Sequence, residues 1–184
     1  MAGDEQLLLD YARRDDVKSL SALVVRHEKW LMAYLRGMSP SEADAEDAFQ
    51  ACWVRVVKSA GSYRGGSVRS YLMRIARSVA IDRFRRRGAP TLSIDDEALQ
   101  GLADAVADVR PTPADVHETS ATREDVRSAV RALPERLRDV LLMRIEGELP
   151  FKEIAEQMGI PLGTALTWMH AATVRLRKTL GGEK

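Results

Sequence analysis

The sequence predicts an all-α protein with two small helical domains joined by an acidic, flexible linker. Three observations lead to this fold class. Apolar residues recur at three- and four-residue steps over most of the chain, which is the period of amphipathic helices. No segment shows the strict apolar–polar alternation of a half-buried strand. A stretch rich in acids, alanine and proline separates the two helical parts.

The first helical domain is predicted over residues 4–87. Its clearest element is a long amphipathic helix from Leu20 to Met38, interrupted by the Ser-Pro-Ser that follows. Ser41 has the side chain of an N-cap residue, with acids directly behind it. The next apolar stripe, over residues 45–60, predicts a second helix that begins at this cap.

Glycines then mark a loop at Gly61 and Gly65-Gly66, and the helical period returns over residues 68–79. Residues 88–122 have the composition of a linker, since they are acidic, rich in alanine and punctuated by prolines. A short helix around residues 95–107 is the only regular structure that this segment suggests.

The second helical domain is predicted over residues 123–181. A short helix, a turn with glycine and a longer helix form a helix-turn-helix pattern, whose second helix can enter the major groove of DNA. The apolar period predicts four helices at residues 126–133, 137–145, 151–158 and 162–180.

Charge is distributed unevenly along the chain, although the formal net charge is only +1. Arginines dominate residues 64–87, where Asp82 is the single acid. From residue 93 to residue 125 the balance reverses and acids dominate. This asymmetry is typical of a surface that binds a polyanion followed by an acidic connector, although a solvated helix face beside an acidic loop would produce it as well.

Several classes of function are disfavoured. Cys52 is the only cysteine, so an internal disulfide and a cysteine-based metal cluster are excluded, and the histidines lack ligand-like spacing. We therefore expect no metal and no cofactor. No convergent catalytic set or phosphate loop is present, so we expect no enzyme. The apolar runs are too short to cross a bilayer and residues 1–5 lack a basic start, so we expect a cytoplasmic protein without membrane insertion.

Two blocks of residues resemble a known family. Asp-Ala-Glu-Asp-Ala-Phe-Gln at 44–50 resembles the Asp-Ala-Glu-Asp-x-x-Gln signature of region 2 in the extracytoplasmic-function (group 4) sigma factors of the sigma-70 family. Tyr-Arg-Gly-Gly-Ser at 63–67 and Tyr-Leu-Met-Arg-Ile-Ala-Arg at 71–77 look like the next part of that region. Leu-Pro-Glu-Arg at 133–136 and Glu-Ile-Ala-Glu at 153–156 are similar to its region 4. The resemblance implies a transcription initiation factor that binds bacterial core RNA polymerase and promoter DNA.

By resemblance, one polar face of the second helix docks on the polymerase. The alternative is a solvated helix start whose acids complement the helix dipole, which would not account for Gln50 or Arg55. The residues assigned to core-polymerase binding are Asp44, Glu46, Asp47, Gln50 and Arg55.

By resemblance, the glycine loop captures a flipped base of the −10 element, and the arginines after it follow the DNA backbone. The alternative is that these arginines only solubilise a helix. Two positions depart from the family pattern, because Tyr71 replaces a common Trp and Ser78 a common Asn. The residues assigned to −10 DNA binding are Tyr63, Arg64, Gly65, Gly66, Ser67, Tyr71, Arg74, Arg77, Ser78 and Arg85.

The last helix departs most from the family pattern, since four commonly basic positions are Leu166, Trp168, Ala171 and Thr173. Fewer phosphate contacts imply weaker −35 binding that depends less on salt. Leu166 and Trp168 face either DNA or a protein partner such as an anti-sigma factor. The residues assigned to −35 DNA binding are Thr164, Thr167, Trp168, His170, Ala171, Arg175 and Lys178.

The family also implies control by a separate anti-sigma factor, because the sequence carries no C-terminal extension that would serve as a built-in regulator. The competing interpretation is a stand-alone helix-turn-helix regulator. It accounts for the C-terminal third of the chain but leaves the acidic motif and the arginine-rich helix without a role.

Overall fold

The computed structural model describes residues 2–86 and 122–181. Within these ranges the chain contains eight α-helices and no strand, divided between two compact units of four helices each. The prediction of an all-α protein with two helical domains is therefore confirmed. The short helix expected around residues 95–107 lies outside the described residues, as does the predicted linker apart from Thr122.

The first unit is a group of four helices with a short 3-10 turn. Its elements are α1 (Asp4–Arg14), α2 (Val17–Met38), α3 (Glu42–Ser59), the 3-10 turn (Ala60–Ser62) and α4 (Val68–Arg86). The boundaries follow local chemistry. Asp15 adopts φ 53° and ends α1, and the Asp16 side chain then accepts from the Lys18 backbone N–H to begin α2. Ser41 caps α3 as predicted, since its Oγ accepts from the Asp44 N–H at 3.2 Å.

Helix α1 was not identified as a separate element from the sequence, and it is fixed to α2 by polar contacts. Arg26 donates to Asp4 at 2.8 Å, and Nε2 of the buried His27 lies 3.1 Å from the same carboxylate. Trp30 Nε1 donates to His27 Nδ1 at 2.9 Å, so the imidazole proton faces Asp4. Burial, opposed by the Asp4 carboxylate, lowers the pKa of His27. A neutral imidazole therefore holds the two helices together.

The core of the first unit is formed by apolar side chains from all four helices. Leu8, Leu35, Val56 and Met73 represent α1 to α4 and have no measurable exposure. Cys52 and Trp53 are buried, which confirms that they are core residues. Each buried side chain of this size contributes about 1.5–3 kcal/mol to folding. The same packing leaves one face of α3 and one face of α4 available to solvent.

The second unit contains the predicted helix-turn-helix. Its elements are α5 (Arg123–Ala132), α6 (Glu135–Ile145), α7 (Phe151–Met158) and α8 (Leu162–Leu180). Thr122 and Asp125 form a reciprocal capping box at the start of α5. Gly159 ends α7 in the left-handed conformation at φ 67°, which gives the tight turn before α8.

Helix α8 is the centre of the second unit, because it packs against α5, α6 and α7. Its contacts bury residues on more than one side of the helix, with Ala165 and Ala172 fully enclosed. In neither unit is a described helix long and apolar enough to span a membrane.

Candidate functional site

The acidic face of α3 is solvent-exposed where the family resemblance expects polymerase contacts. Glu46, Asp47 and Gln50 are exposed, whereas Asp44 is half-buried beside the Ser41 cap. Asp47 accepts from the Arg83 guanidinium of α4 at 2.8 Å. The face therefore carries carboxylates and an amide that are accessible to a partner, and one of them is held in place by α4.

Arg55 has a different environment from the other four residues assigned to this face. Its guanidinium donates to Ser78 Oγ at 2.8 Å and to Asp82 Oδ2 at 2.7 Å, so it connects α3 to α4. Asp82 and Arg83 were not identified as site residues from the sequence. The signal that would have identified Asp82 is its position as the single acid in the arginine-rich segment.

Two tyrosines, Tyr63 and Tyr71, support the glycine loop at Gly65-Gly66. Tyr63 is buried and its hydroxyl donates to the Gly66 carbonyl at 2.6 Å. Its ring meets the edge of the Tyr71 ring with 5.3 Å between centroids, and the Tyr71 hydroxyl lies 2.6 Å from Ser59 Oγ. Burial raises the pKa of Tyr63, so it stays a neutral donor. Tyr63 thus supports the loop from inside the unit, and the half-buried Tyr71 packs against it.

The loop itself has a backbone that requires glycine. Gly65 and Gly66 adopt φ +99° and +102°, a region that side-chain-bearing residues rarely occupy. Arg64 is exposed, and its guanidinium donates to the Gly61 carbonyl at 3.0 Å. Ser67 Oγ accepts from the Ser70 N–H at 3.2 Å and so caps the start of α4. The loop is a defined structure with its glycine backbone exposed.

The arginines after the loop lie on the accessible side of α4. Arg74 and Arg85 are exposed and Arg77 is half-buried. Ser78 is exposed as well, and its hydroxyl accepts from Arg55. The structure therefore brings the residues assigned to −10 binding together along the loop and one face of α4, with the exception that Tyr63 is inside the unit.

Two residues assigned to −35 binding are in the core. The expectations that Ala171 lies on the outer face of α8 and that Trp168 faces DNA or a protein partner were therefore wrong. Trp168 is 5% exposed and Ala171 is 3% exposed. The Arg136 guanidinium of α6 lies over the Trp168 ring, 5.6 Å from its centroid. The reason is that three helices contact α8, so its buried surface extends beyond the single stripe that the sequence pattern indicated.

The remaining face of α8 is accessible and carries few charges. Leu166 is 47% exposed, whereas Thr164, Thr167 and His170 are half-buried. The arginines and lysine of α8 lie towards the helix end, at the half-buried Arg175 and the exposed Arg177 and Lys178. Trp168 therefore faces its own unit, and of the two residues whose orientation the sequence left open only Leu166 is available to an external partner.

Comparison with known proteins agrees with this arrangement. The model of Sigma-70 region 2 matches residues 23–89, and the model of Sigma-70, region 4 matches residues 123–176. The chain is 32% identical over 163 residues to the ECF RNA polymerase sigma factor SigE of Mycolicibacterium smegmatis, covering 88% of this chain and 62% of that protein. It is 27% identical over 165 residues to the ECF RNA polymerase sigma-E factor of Escherichia coli K12, covering 87% and 85%.

Solved structures share the fold at low sequence identity. The sigma factor RpoE from Bartonella quintana, solved in complex with the anti-sigma factor NepR, aligns with a TM-score of 0.68 at 20% identity, covering 91% of this chain and 99% of that one. CnrH, solved in complex with the cytosolic domain of CnrY, aligns with a TM-score of 0.67 at 18% identity, covering 99% and 100%. With both family models matching in order, this chain belongs to the extracytoplasmic-function group of the sigma-70 family.

Proposed function

We propose that this chain is a transcription initiation factor that binds bacterial core RNA polymerase and directs it to specific promoters, with no catalysis of its own. The observation that carries the proposal is the exposed acidic face of α3, which lies in the same helical unit as the glycine loop and the arginine face of α4. The first surface suits a protein partner and the second suits a polyanion.

The functional division follows the two units. Residues 4–87 bind the polymerase and then recognise and melt the −10 element, residues 88–122 are the linker, and residues 123–181 recognise the −35 element. The family membership and the helix boundaries support this division. A factor of this kind works in the cytoplasm, where polymerase and promoters are found.

The polymerase contact is formed by the acids and the amide of α3. Glu46 and Asp47 supply hydrogen-bond acceptors, and Gln50 supplies an acceptor and a donor. All three side chains are exposed, so water satisfies them in the free protein and no desolvation cost arises there. Complementary charge on a partner would speed association and fix the orientation of docking. Arg55 contributes by holding α3 against α4 as well as by its position on the same helix.

The −10 contact combines the loop with the arginine face. Extracting a base from the stack costs a few kcal/mol, which contacts to the unstacked base must recover. The exposed Gly65-Gly66 backbone permits a close approach, and Arg74 and Arg85 supply phosphate contacts. The buried Tyr63 and the half-buried Tyr71 beside it maintain the loop geometry.

The −35 contact is formed by α8 with a small number of cations. Thr164 and Thr167 offer hydroxyls and methyl groups for base edges, and Lys178 supplies a phosphate contact. Binding by this unit is expected to depend only weakly on salt, because few phosphates are neutralised. A separate anti-sigma factor is the expected regulator, and Leu166 is one of three exposed apolar residues of α8, with Leu162 and Val174, that suit such a protein contact.

The test is co-elution of the purified chain with sigma-free core RNA polymerase in gel filtration at moderate salt. Co-elution that is lost in the Asp47→Ala/Gln50→Ala double variant supports the proposal. Glu28→Ala is the matched control, since Glu28 is an exposed acid on α2 away from this face, and it should co-elute normally. Absence of co-elution together with tight, specific binding to duplex DNA alone would favour the stand-alone regulator, whose support is the α7–α8 helix-turn-helix.

A further inference from the structure

A cleft of about 350 Å³ lies in the first unit between α1 and the loop that follows α3. Helix α1 contributes Glu5, Leu9 and Arg13 to its lining. The loop contributes Gly61 and the run from Tyr63 to Gly65. The volume is at the lower end of the range of about 300–1,000 Å³ that small-ligand sites occupy. One wall of the cleft is therefore the same loop that is proposed to receive an unstacked base.

Glu5 places its carboxylate directly against this loop. A Cβ atom at Gly65 would lie 3.0 Å from Glu5 Oε1, so the carboxylate is close to the Gly65 backbone. Gly66 has open space around the same position. Within residues 2–86 and 122–181, Glu5 makes no hydrogen bond or ion pair, so its acceptor capacity is available to a ligand.

The cation of the loop does not neutralise this carboxylate. The Arg64 guanidinium is instead held by backbone, with a hydrogen bond of 3.0 Å to the Gly61 carbonyl. Glu5 and the buried Tyr63 line the same cleft, but the Tyr63 hydroxyl is already donated to the Gly66 carbonyl. The cleft thus presents one unused, acceptor-only group at the exposed glycine backbone.

We propose that Glu5 is a specificity-determining residue for the captured base, accepting a hydrogen bond from the exocyclic amino group of adenine, cytosine or guanine. Thymine carries no such group, and its ring N–H lies between two carbonyl oxygens that a carboxylate repels. At this one position the chain therefore discriminates against thymine. The inference rests on the proposed function, since it requires an unstacked promoter base at the loop.

The test uses the chain assembled with core RNA polymerase and fluorescent single-stranded oligonucleotides of the non-template −10 strand. Each position is changed in turn to all four bases, and affinity is read by fluorescence anisotropy. At one position, the oligonucleotide with thymine should bind about tenfold more weakly than the one with the best amino-bearing base. A difference of this size corresponds to one hydrogen bond to a charged group. Glu5→Gln should reduce this preference to about twofold, because the amide also donates and so accommodates the thymine O4.

Asp10→Asn is the matched control. It removes one negative charge from the same helix, but the Asp10 carboxylate accepts from Gln6 at 2.9 Å and does not line the cleft. The control should keep the wild-type preference. An unchanged preference in Glu5→Gln, or an equal change in Asp10→Asn, would overturn the assignment of Glu5. A wild-type chain that fails to assemble with polymerase would instead overturn the proposed function, and this inference with it.

Discussion

The Arg55 guanidinium joins α3 to α4 by donating to Asp82 Oδ2 at 2.7 Å and to Ser78 Oγ at 2.8 Å. One side chain thereby connects the helix proposed to bind polymerase with the helix proposed to bind the −10 element. Both members of the ion pair are about 40% exposed, so the connection is partly screened by solvent.

Arg55→Ala should lower the free energy of unfolding by about 1–2 kcal/mol, because it removes an ion pair and a hydrogen bond together. A double-mutant cycle with Asp82→Ala should give a coupling energy of about 0.5–1 kcal/mol. Urea unfolding of the full chain measures both. Arg74→Ala, which removes an exposed arginine from α4, should change stability by less than about 0.5 kcal/mol. Zero coupling in the cycle would show that the contact is not maintained in solution.

Asp47 and Arg83 form a second link between the same helices, and their variants separate docking from folding. Asp47→Ala should weaken polymerase binding at least about tenfold, because it removes a charge from the interface. Arg83→Ala leaves Asp47 present and more available, so binding should be equal to or tighter than that of the wild type. Titration of labelled chain with core polymerase measures both affinities. Equal losses in the two variants would indicate that the pair acts only through the fold.

Trp168 and Leu166 are two positions apart in α8 and have opposite environments, since Trp168 is buried and Leu166 is exposed. Trp168→Ala should destabilise the second unit by about 3–5 kcal/mol, because it leaves a cavity beneath Arg136. Leu166→Ala should change stability by less than about 0.5 kcal/mol, since the side chain is 47% exposed. Thermal unfolding followed by circular dichroism measures this difference. Equal stability of the two variants would contradict the burial of Trp168.

Cys52 provides a probe of the first unit at alkaline pH. Burial raises the pKa of its thiol to about 12, so the folded state holds the proton that the unfolded state releases. The stability of the wild type relative to Cys52→Ala should therefore decrease as pH rises from about 8.5, by about 1.4 kcal/mol per pH unit. Urea unfolding at pH 8, 9 and 10 measures the difference. A difference that is constant with pH would show that the thiol ionises freely in the folded chain.

His27 makes the stability of the first unit depend on pH in the acidic range, and here stability falls as pH decreases. Its pKa is lowered in the folded state, so the unfolded state binds the proton more tightly and stability should fall as pH drops below about 6.5. In His27→Gln the slope between pH 6.5 and pH 5 should be shallower than in the wild type. Tryptophan fluorescence, to which Trp30 beside His27 contributes, reports unfolding during the titration. Parallel slopes would exclude His27 as the titrating group.

Much of this molecule follows from local sequence. The three- and four-residue period predicted the helices, Ser41 predicted the start of α3, and Gly159 the turn before α8. The order of the two motif blocks predicted the family. These features depend on residues within one or two helical turns of one another, where backbone hydrogen bonding and a single apolar face determine the outcome.

The tertiary structure alone decided which side chains meet across helices. Arg55 and Asp82 are 27 residues apart, and Glu5 reaches a loop 60 residues further along the chain. Trp168 was expected on the surface and is buried, because α8 is contacted by three helices and a pattern in one helix does not reveal how many neighbours it has. Helical period determines one buried face, whereas crossing geometry and packing determine the rest.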